Sequence, residues 1–88
     1  MDLDALLNHY FGSADPDTIA DQAMAEGRHR LEIDFGTERE PSRKFALWTL
    51  MEALGFAPEP EKAFKDPALQ NAARRYRDAA WDAQRTIE

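Results

Sequence analysis

The chain has 88 residues, no cysteine and a formal net charge of −6. This length suits one small domain, and the lack of cysteine excludes disulfides, thiolate metal sites and a cysteine nucleophile. No basic residue precedes the first apolar run, and no apolar stretch approaches the ~20 residues of a membrane-spanning helix. We therefore expect residues 1–88 to form a single cytoplasmic domain that has no membrane partner.

The charge is divided unevenly along the sequence. Residues 1–40 hold ten acidic residues and three arginines, whereas residues 41–88 hold seven acidic and eight basic residues. Because an acidic surface repels phosphate groups, nucleic acid is not expected as a partner. The acids most simply solvate helix faces. An alternative is that the chain imitates nucleic acid, which requires these acids to lie on one surface at phosphate-like spacing.

Hydrophobic periodicity predicts an all-α bundle of four main helices. The first covers residues 3–11, where the apolar residues share one face. The second covers residues 16–35: Asp15-Pro16 is a typical helix start, and Gly36 is expected to end the helix. Gly27 lies in the middle of this helix and predicts either a break or a close contact with another helix.

Residues 31–35 fit two patterns. Leu31, Ile33 and Phe35 continue a helical stripe, but they also alternate with Glu32 and Asp34 as residues of a strand do. A strand needs a partner, and the chain offers no second strand. Helix is therefore favoured, and a β-ribbon shared between two chains is the alternative.

The third predicted helix, residues 41–54, is apolar in nearly every direction, which is typical of a central helix. Leu47 and Trp48 are therefore expected to be deeply buried. Gly55 followed by Phe56 predicts a Schellman ending, in which the chain folds back onto the last helical turn.

A short helix at residues 60–65 and a long one at residues 67–87 complete the prediction. The long helix begins at Asp66-Pro67, and its apolar face is mainly alanine, which permits close packing. The short connections between these helices favour a compact bundle.

Few residues could support catalysis or bind a metal. Glu26 and His29 form one Glu-x-x-His sequence, which is half of the carboxylate metal pattern of some helical bundles. The pattern is incomplete in one chain, so a small metal-binding protein or enzyme with this site completed across a dimer is only an alternative. We expect no catalytic residue and no cofactor.

Two basic residues lie at the start of the third helix, where cations are normally disfavoured. Arg43 and Lys44 could contact an anion or an acidic peptide, or they could be neutralised by Glu38 and Glu40 just upstream. The second interpretation is favoured.

The sequence holds more aromatic residues than so small a bundle can bury completely. Tryptophan and tyrosine are enriched at protein interfaces, so Trp48, Tyr76 and Trp81 are predicted, with Arg43 and Lys44, to bind a partner. The functional hypothesis is a non-catalytic protein-interaction or regulatory module that uses an apolar groove, with a homodimer as one arrangement.

Overall fold

The described part of the chain is built from α-helices and one 3-10 turn. The structure, a computed structural model, describes the backbone of residues 3–13 and 15–87, and the side chains of these residues other than Pro16 and 81–87. The α-helices are α1 (Leu3–Phe11), α2 (Asp21–Thr37), α3 (Pro41–Leu54), α4 (Pro60–Ala63) and α5 (Pro67–Ile87), and the 3-10 turn is Pro16–Thr18. The predicted all-α bundle is confirmed, and these residues include no strand.

The predicted start of the second helix is wrong, because Asp15-Pro16 begins the 3-10 turn. The Asp15 side chain accepts a hydrogen bond from the Asp17 amide at 3.0 Å, and its carbonyl accepts from the Thr18 amide at 3.1 Å and the Thr18 hydroxyl at 2.9 Å. These local bonds compete with helix formation. The helix α2 therefore begins only at Asp21.

The predicted end of this helix at Gly36 is also wrong. Gly36 is helical, and α2 continues to Thr37, where the Glu38 amide donates to the Asp34 carbonyl at 2.9 Å. Glu38 and Glu40 then have extended backbones. Glu40 precedes a proline, and a residue in that position is disfavoured in helical geometry.

Residues 31–35 are helical, as favoured from the sequence. The helical period puts Leu31 and Phe35 on the buried face, whereas Ile33 on the other side is 51% exposed. A strand at this position does not form in this chain.

α2 and α3 form an antiparallel pair. Lys44, near the start of α3, has its ammonium 4.0 Å from the ring centre of Phe35 at the end of α2. At the opposite end of the pair, the Arg28 guanidinium lies 4.6 Å from the ring centre of Phe56, just after α3. The short connection between the two helices enforces this arrangement.

α1 packs across this pair and meets α2 at Gly27. A Cβ at this glycine would lie 2.3 Å from Cδ1 of Phe11 and 2.6 Å from the carbonyl oxygen of Tyr10. The close helix contact predicted from Gly27 is therefore confirmed, and the helix is not broken there.

The end of α3 follows the predicted Schellman geometry. Gly55 has a φ of 88°, and the Phe56 amide donates to the Met51 carbonyl at 3.0 Å. The short helix α4 is shorter than predicted, because Phe64 is extended and turns its side chain into the core, where it is 2% exposed.

α5 runs in the same direction as α3. The rings of Trp48 and Tyr76 are 6.1 Å apart, and further along both helices Nε of Arg77 donates to Glu52 at 2.8 Å. α3 thus contacts α1, α2 and α5, and its predicted central position is confirmed. Trp48 is 0% exposed and Leu47 7%, as expected.

The molecule is flat, with extents of 38 × 35 × 20 Å. The smallest extent corresponds to two layers of helices, since a helix with its side chains is ~10 Å across. None of the helices in the described residues combines the length and apolarity required to span a bilayer.

Candidate binding surfaces on either side of helix α3

Two concave surfaces flank the first half of α3. We name them the α3–α5 groove and the α1–α3 cleft. The groove has a volume of about 350 Å³ and is lined by Pro41, Ser42, Phe45, Leu69 and Ala72. The cleft has a volume of about 450 Å³ and is lined by Leu6, His9, Tyr10, Asp34, Thr37, Glu38, Arg43 and Leu47. They open on opposite sides of α3, since a helix turns by ~100° per residue and Arg43 and Phe45 point in nearly opposite directions.

The groove is formed where α3 and α5 begin. Its floor includes Phe45, which stacks against Phe64 with the ring centres 5.8 Å apart. Leu69 enters from α5, whose first turn is fixed by Asp66: the Asp66 carboxylate accepts from the Ala68 amide at 2.9 Å. The groove is therefore a mainly apolar surface at the N-terminal ends of two helices.

Two arginines lie close in sequence to residues that line the groove. Arg39 precedes Pro41 by two residues, and Arg75 follows Ala72 by about one helical turn. Both are exposed, and neither forms an ion pair or a side-chain hydrogen bond with another side chain that the structure describes. One of these charges thus lies on the connection that leads into α3, and the other lies on α5.

The other arginines near Arg75 are used within the chain. Arg74 pairs with Glu61, and Arg77 bridges Glu52 at 2.7 Å and Glu59 at 3.0 Å. The hydrogen bond to Glu52 is the main cause that raises the pKa of Arg77. Of the three arginines at positions 74, 75 and 77, Arg75 alone forms no ion pair with a described side chain.

The α1–α3 cleft contains a hydrogen bond between remote parts of the sequence. The Tyr10 hydroxyl donates to Oδ2 of Asp34 at 2.6 Å. Burial, followed by the hydrogen bond and the negative charge of Asp34, raises the pKa of the Tyr10 phenol far above its usual value. The phenol therefore remains a hydrogen-bond donor at any physiological pH.

Arg43, one of the predicted partner-binding residues, lines this cleft. Its Nε lies 3.0 Å from Oε1 of Glu38, so its charge is already paired. The Glu40 side chain accepts from the Ser42 amide at 3.2 Å and the Arg43 amide at 2.8 Å. The start of α3 therefore has its own carboxylate cap. This supports the interpretation that Glu38 and Glu40 neutralise the positive charge at the start of this helix.

Lys44 faces a different direction from Arg43 and is used to end α2. Its ammonium donates to the Phe35 carbonyl at 2.7 Å, a terminal helix carbonyl that would otherwise lack a partner. Burial lowers the pKa of Lys44, while the nearby charge of Glu38 opposes that shift. Arg43 and Lys44 are adjacent in sequence but do not form one site.

The structure brings together two of the three predicted aromatic residues. Trp48 is fully buried, and its Nε1 donates to the Pro58 carbonyl at 3.0 Å, so its indole is occupied within the core. Tyr76 contacts the Trp48 ring edge-on and is 36% exposed, which leaves it accessible beside α3. The side chain of Trp81 lies outside the described residues.

Glu26 and His29 lie on the exposed surface of α2. Glu26 accepts a hydrogen bond from Gln22 at 3.4 Å. Among the residues that the structure describes, no group of three or more histidine, aspartate or glutamate side chains could hold a metal ion.

Several acids of residues 1–40 have specific partners in the same chain. Asp15 and Glu40 accept hydrogen bonds from backbone amides, and Asp34 accepts one from a phenol. Glu32 and Glu38 pair with arginines. These carboxylates therefore take part in contacts within the chain.

Apart from Arg43, sequence reasoning did not select the residues that line the two surfaces as binding residues. Leu69 belongs to the apolar stripe of α5, so the helical period could have indicated the groove. No sequence signal joins Tyr10 to Asp34, which are 24 residues apart. The chain matches no known protein family, no curated protein and no solved structure.

Proposed function

We propose that this chain is a non-catalytic interaction module, and that its α3–α5 groove binds an amphipathic helix of a partner protein with acidic residues beside its apolar face. The observation that carries the proposal is the apolar groove between the first turns of α3 and α5, close in sequence to Arg39 and Arg75, which form no ion pair with a described side chain.

The shape of the groove supports a helix as the occupant. Phe45 and Leu69 provide apolar surface, and Ala72 has a small side chain that lets another backbone approach α5 closely. An amphipathic helix inserts residues spaced three and four apart into grooves of this kind. Burial of its apolar side chains supplies the affinity.

The charges around the groove support an acidic partner. Arg39 and Arg75 can each pair with a carboxylate of the partner helix, outside the apolar contact. The chain as a whole has more acidic than basic residues. The excess of acidic over basic residues in residues 1–40 disfavours docking of an acidic helix on α1 and α2. Charge complementarity therefore favours the groove as its place of binding.

A peptide selection tests this proposal, because it does not require the partner to be identified first. A library of displayed 16-residue peptides is selected on the immobilised protein, and the best binders are synthesised for calorimetry. We expect apolar residues at helical spacing with flanking aspartates and glutamates. Replacing these acids with lysines in the same peptide should weaken binding by about tenfold or more, because two exposed ion pairs become repulsive.

Matched variants of the protein locate the peptide. Ala72→Glu places a charged side chain in the groove on an exposed helical position, and we expect it to abolish binding. Ala25→Glu makes the same change on the exposed surface of α2 and should leave the affinity unchanged. The double variant Arg39→Gln, Arg75→Gln should weaken binding by about tenfold.

Three outcomes would contradict the proposal. The selection could return no peptide, its peptides could bind the Ala72→Glu variant unchanged, or the lysine-flanked peptides could bind better. Light scattering tests whether a second copy of the chain occupies the groove. If the wild-type protein is a dimer and Ala72→Glu dissociates it, the partner-helix proposal fails.

A further inference from the structure

The α1–α3 cleft is a second candidate binding site, and it is separate from the α3–α5 groove because the two surfaces lie on opposite sides of α3. We propose that the cleft binds a small organic cation, an amine with an apolar body, through the carboxylate of Asp34 and the apolar side chains of Leu6 and Leu47.

The charges within the cleft select a cation. Arg43 is paired with Glu38 at 3.0 Å, and the charges of Arg30 and Arg43 act on the Tyr10 phenol less strongly than the charge of Asp34 does. Asp34 is bonded to the neutral hydroxyl of Tyr10, and it forms no ion pair with another described residue. Its Oδ1 accepts no hydrogen bond from a described residue, so this oxygen can accept one from an ammonium group.

The Tyr10–Asp34 hydrogen bond also positions the carboxylate. The phenol belongs to a residue that is largely buried between α1 and the other helices, and it holds Oδ2 of Asp34 at 2.6 Å. Because one oxygen is fixed, the carboxylate loses less freedom when a ligand binds. An acidic side chain on an open helix surface lacks this orientation.

The remaining lining suits the body of such a ligand. Leu6 and Leu47 are apolar, and the imidazole of His9 packs edge-on against the Tyr10 ring with the centroids 4.9 Å apart. A volume of about 450 Å³ falls within the ~300–1,000 Å³ typical of small-molecule sites. A short alkylamine or arylalkylamine therefore matches both the charge and the apolar part of the cleft.

The test uses three probes of similar length: pentylamine, pentanol and hexanoate. Each is titrated into the 15N-labelled protein at pH 7.5 and followed by amide chemical shifts. We expect saturable shifts with pentylamine at the amides of residues 6–10, 34–38 and 47. Hexanoate should cause no saturable shift at these amides, and pentanol should bind at least tenfold more weakly than the amine.

Variants assign the binding to Asp34. Asp34→Asn keeps an oxygen that can accept from Tyr10 but removes the charge, so the affinity for pentylamine should fall by about tenfold or more. Asp21→Asn removes an exposed carboxylate from the same helix and should leave the affinity unchanged. Ala72→Glu in the groove should also have no effect, which separates this proposal from the proposed function.

Three results would overturn the inference: stronger binding of hexanoate than of pentylamine, amine shifts that spread over the surface without saturation, or an unchanged affinity in Asp34→Asn. The comparison of the three probes on the wild-type protein decides the question even if the Asp34 variant does not fold.

Discussion

The indole of Trp48 joins parts of the chain that are far apart in sequence. Its ring contacts Phe45, Phe64 and Tyr76 at centroid distances of 6.0–6.2 Å, and its Nε1 donates to the Pro58 carbonyl at 3.0 Å. The hydrogen bond satisfies the polar atom of a fully buried side chain. This one residue therefore fixes the return of the chain from α3 to α5.

Gly27 and Gly36 offer a matched pair of substitutions within α2. A Cβ at Gly27 would overlap the Phe11 ring and the Tyr10 carbonyl, whereas a Cβ at Gly36 meets no atom within 4 Å. We predict that Gly27→Ala lowers the free energy of unfolding by about 1–3 kcal/mol, because α1 must move away. Gly36→Ala should raise it by about 0.5–1 kcal/mol through helix propensity alone.

Urea denaturation followed by circular dichroism at 222 nm measures both changes. The Gly36 variant controls for the effect of alanine on the helix itself. Equal stabilisation by the two substitutions would show that α1 does not pack against α2 at Gly27.

At the scale of elements, the Tyr10–Asp34 hydrogen bond ties α1 to the last turns of α2. The pKa of the phenol is raised on folding, so the folded state binds its proton more tightly than the unfolded state does. The stability from this linkage is complete below the unfolded pKa of ~10 and is lost as the pH rises above it. We predict that Tyr10→Phe lowers stability by about 1 kcal/mol at pH 8, and that the gap to the wild type narrows towards pH 11.

The comparison of the two proteins at each pH removes the contribution of groups that titrate in both. Urea unfolding at pH 8, 10 and 11 measures the gap. A gap of constant size over this range would contradict the assigned role of the phenol proton.

The sequence allowed the helices to be predicted because their apolar residues follow the helical period. The ends of α1, α3 and α5 were predicted correctly, since the sequence provides strong stop or start signals such as Gly55 and Asp66-Pro67. The start of α2 was predicted incorrectly, because Asp15 forms hydrogen bonds with Asp17 and with Thr18 in a local turn. Side chains that compete with the helix for backbone hydrogen bonds are difficult to recognise from the spacing of apolar residues alone.

The candidate sites were much harder to predict than the helices. Arg43, Lys44 and Trp48 were selected for their residue types. In the structure, Arg43 forms an ion pair, Lys44 donates to the end of α2, and Trp48 lies in the core. The cleft depends on Tyr10 meeting Asp34, which follows from the packing of α1 across α2. Such contacts depend on the order of the helices in space, which hydrophobic periodicity does not define.

At the scale of the whole molecule, the flat shape limits the size of the core. The radius of gyration is 13.3 Å, compared with the ~12 Å that the scaling for compact domains gives at this length. A flat molecule buries a smaller share of its apolar side chains, and this explains why part of the apolar lining of α3 and α5 stays accessible. The proposed helix-binding groove is thus a consequence of the shape of the bundle.

The packing order of the helices predicts how the whole chain folds. α1 packs on α2, α2 on α3 and α4 on α5, so most contacts between the described helices join neighbouring segments, whereas the contacts of α3 with α1 and α5 skip an element. Folds dominated by local contacts fold within microseconds to milliseconds. We predict one cooperative transition whose main folding phase is complete within ~10 ms, measured by rapid-mixing fluorescence of Trp48 in a Trp81→Phe background. Separate transitions seen by fluorescence and by circular dichroism would contradict the prediction that residues 1–88 form one domain, because a single cooperative unit must lose its helices and its buried indole together.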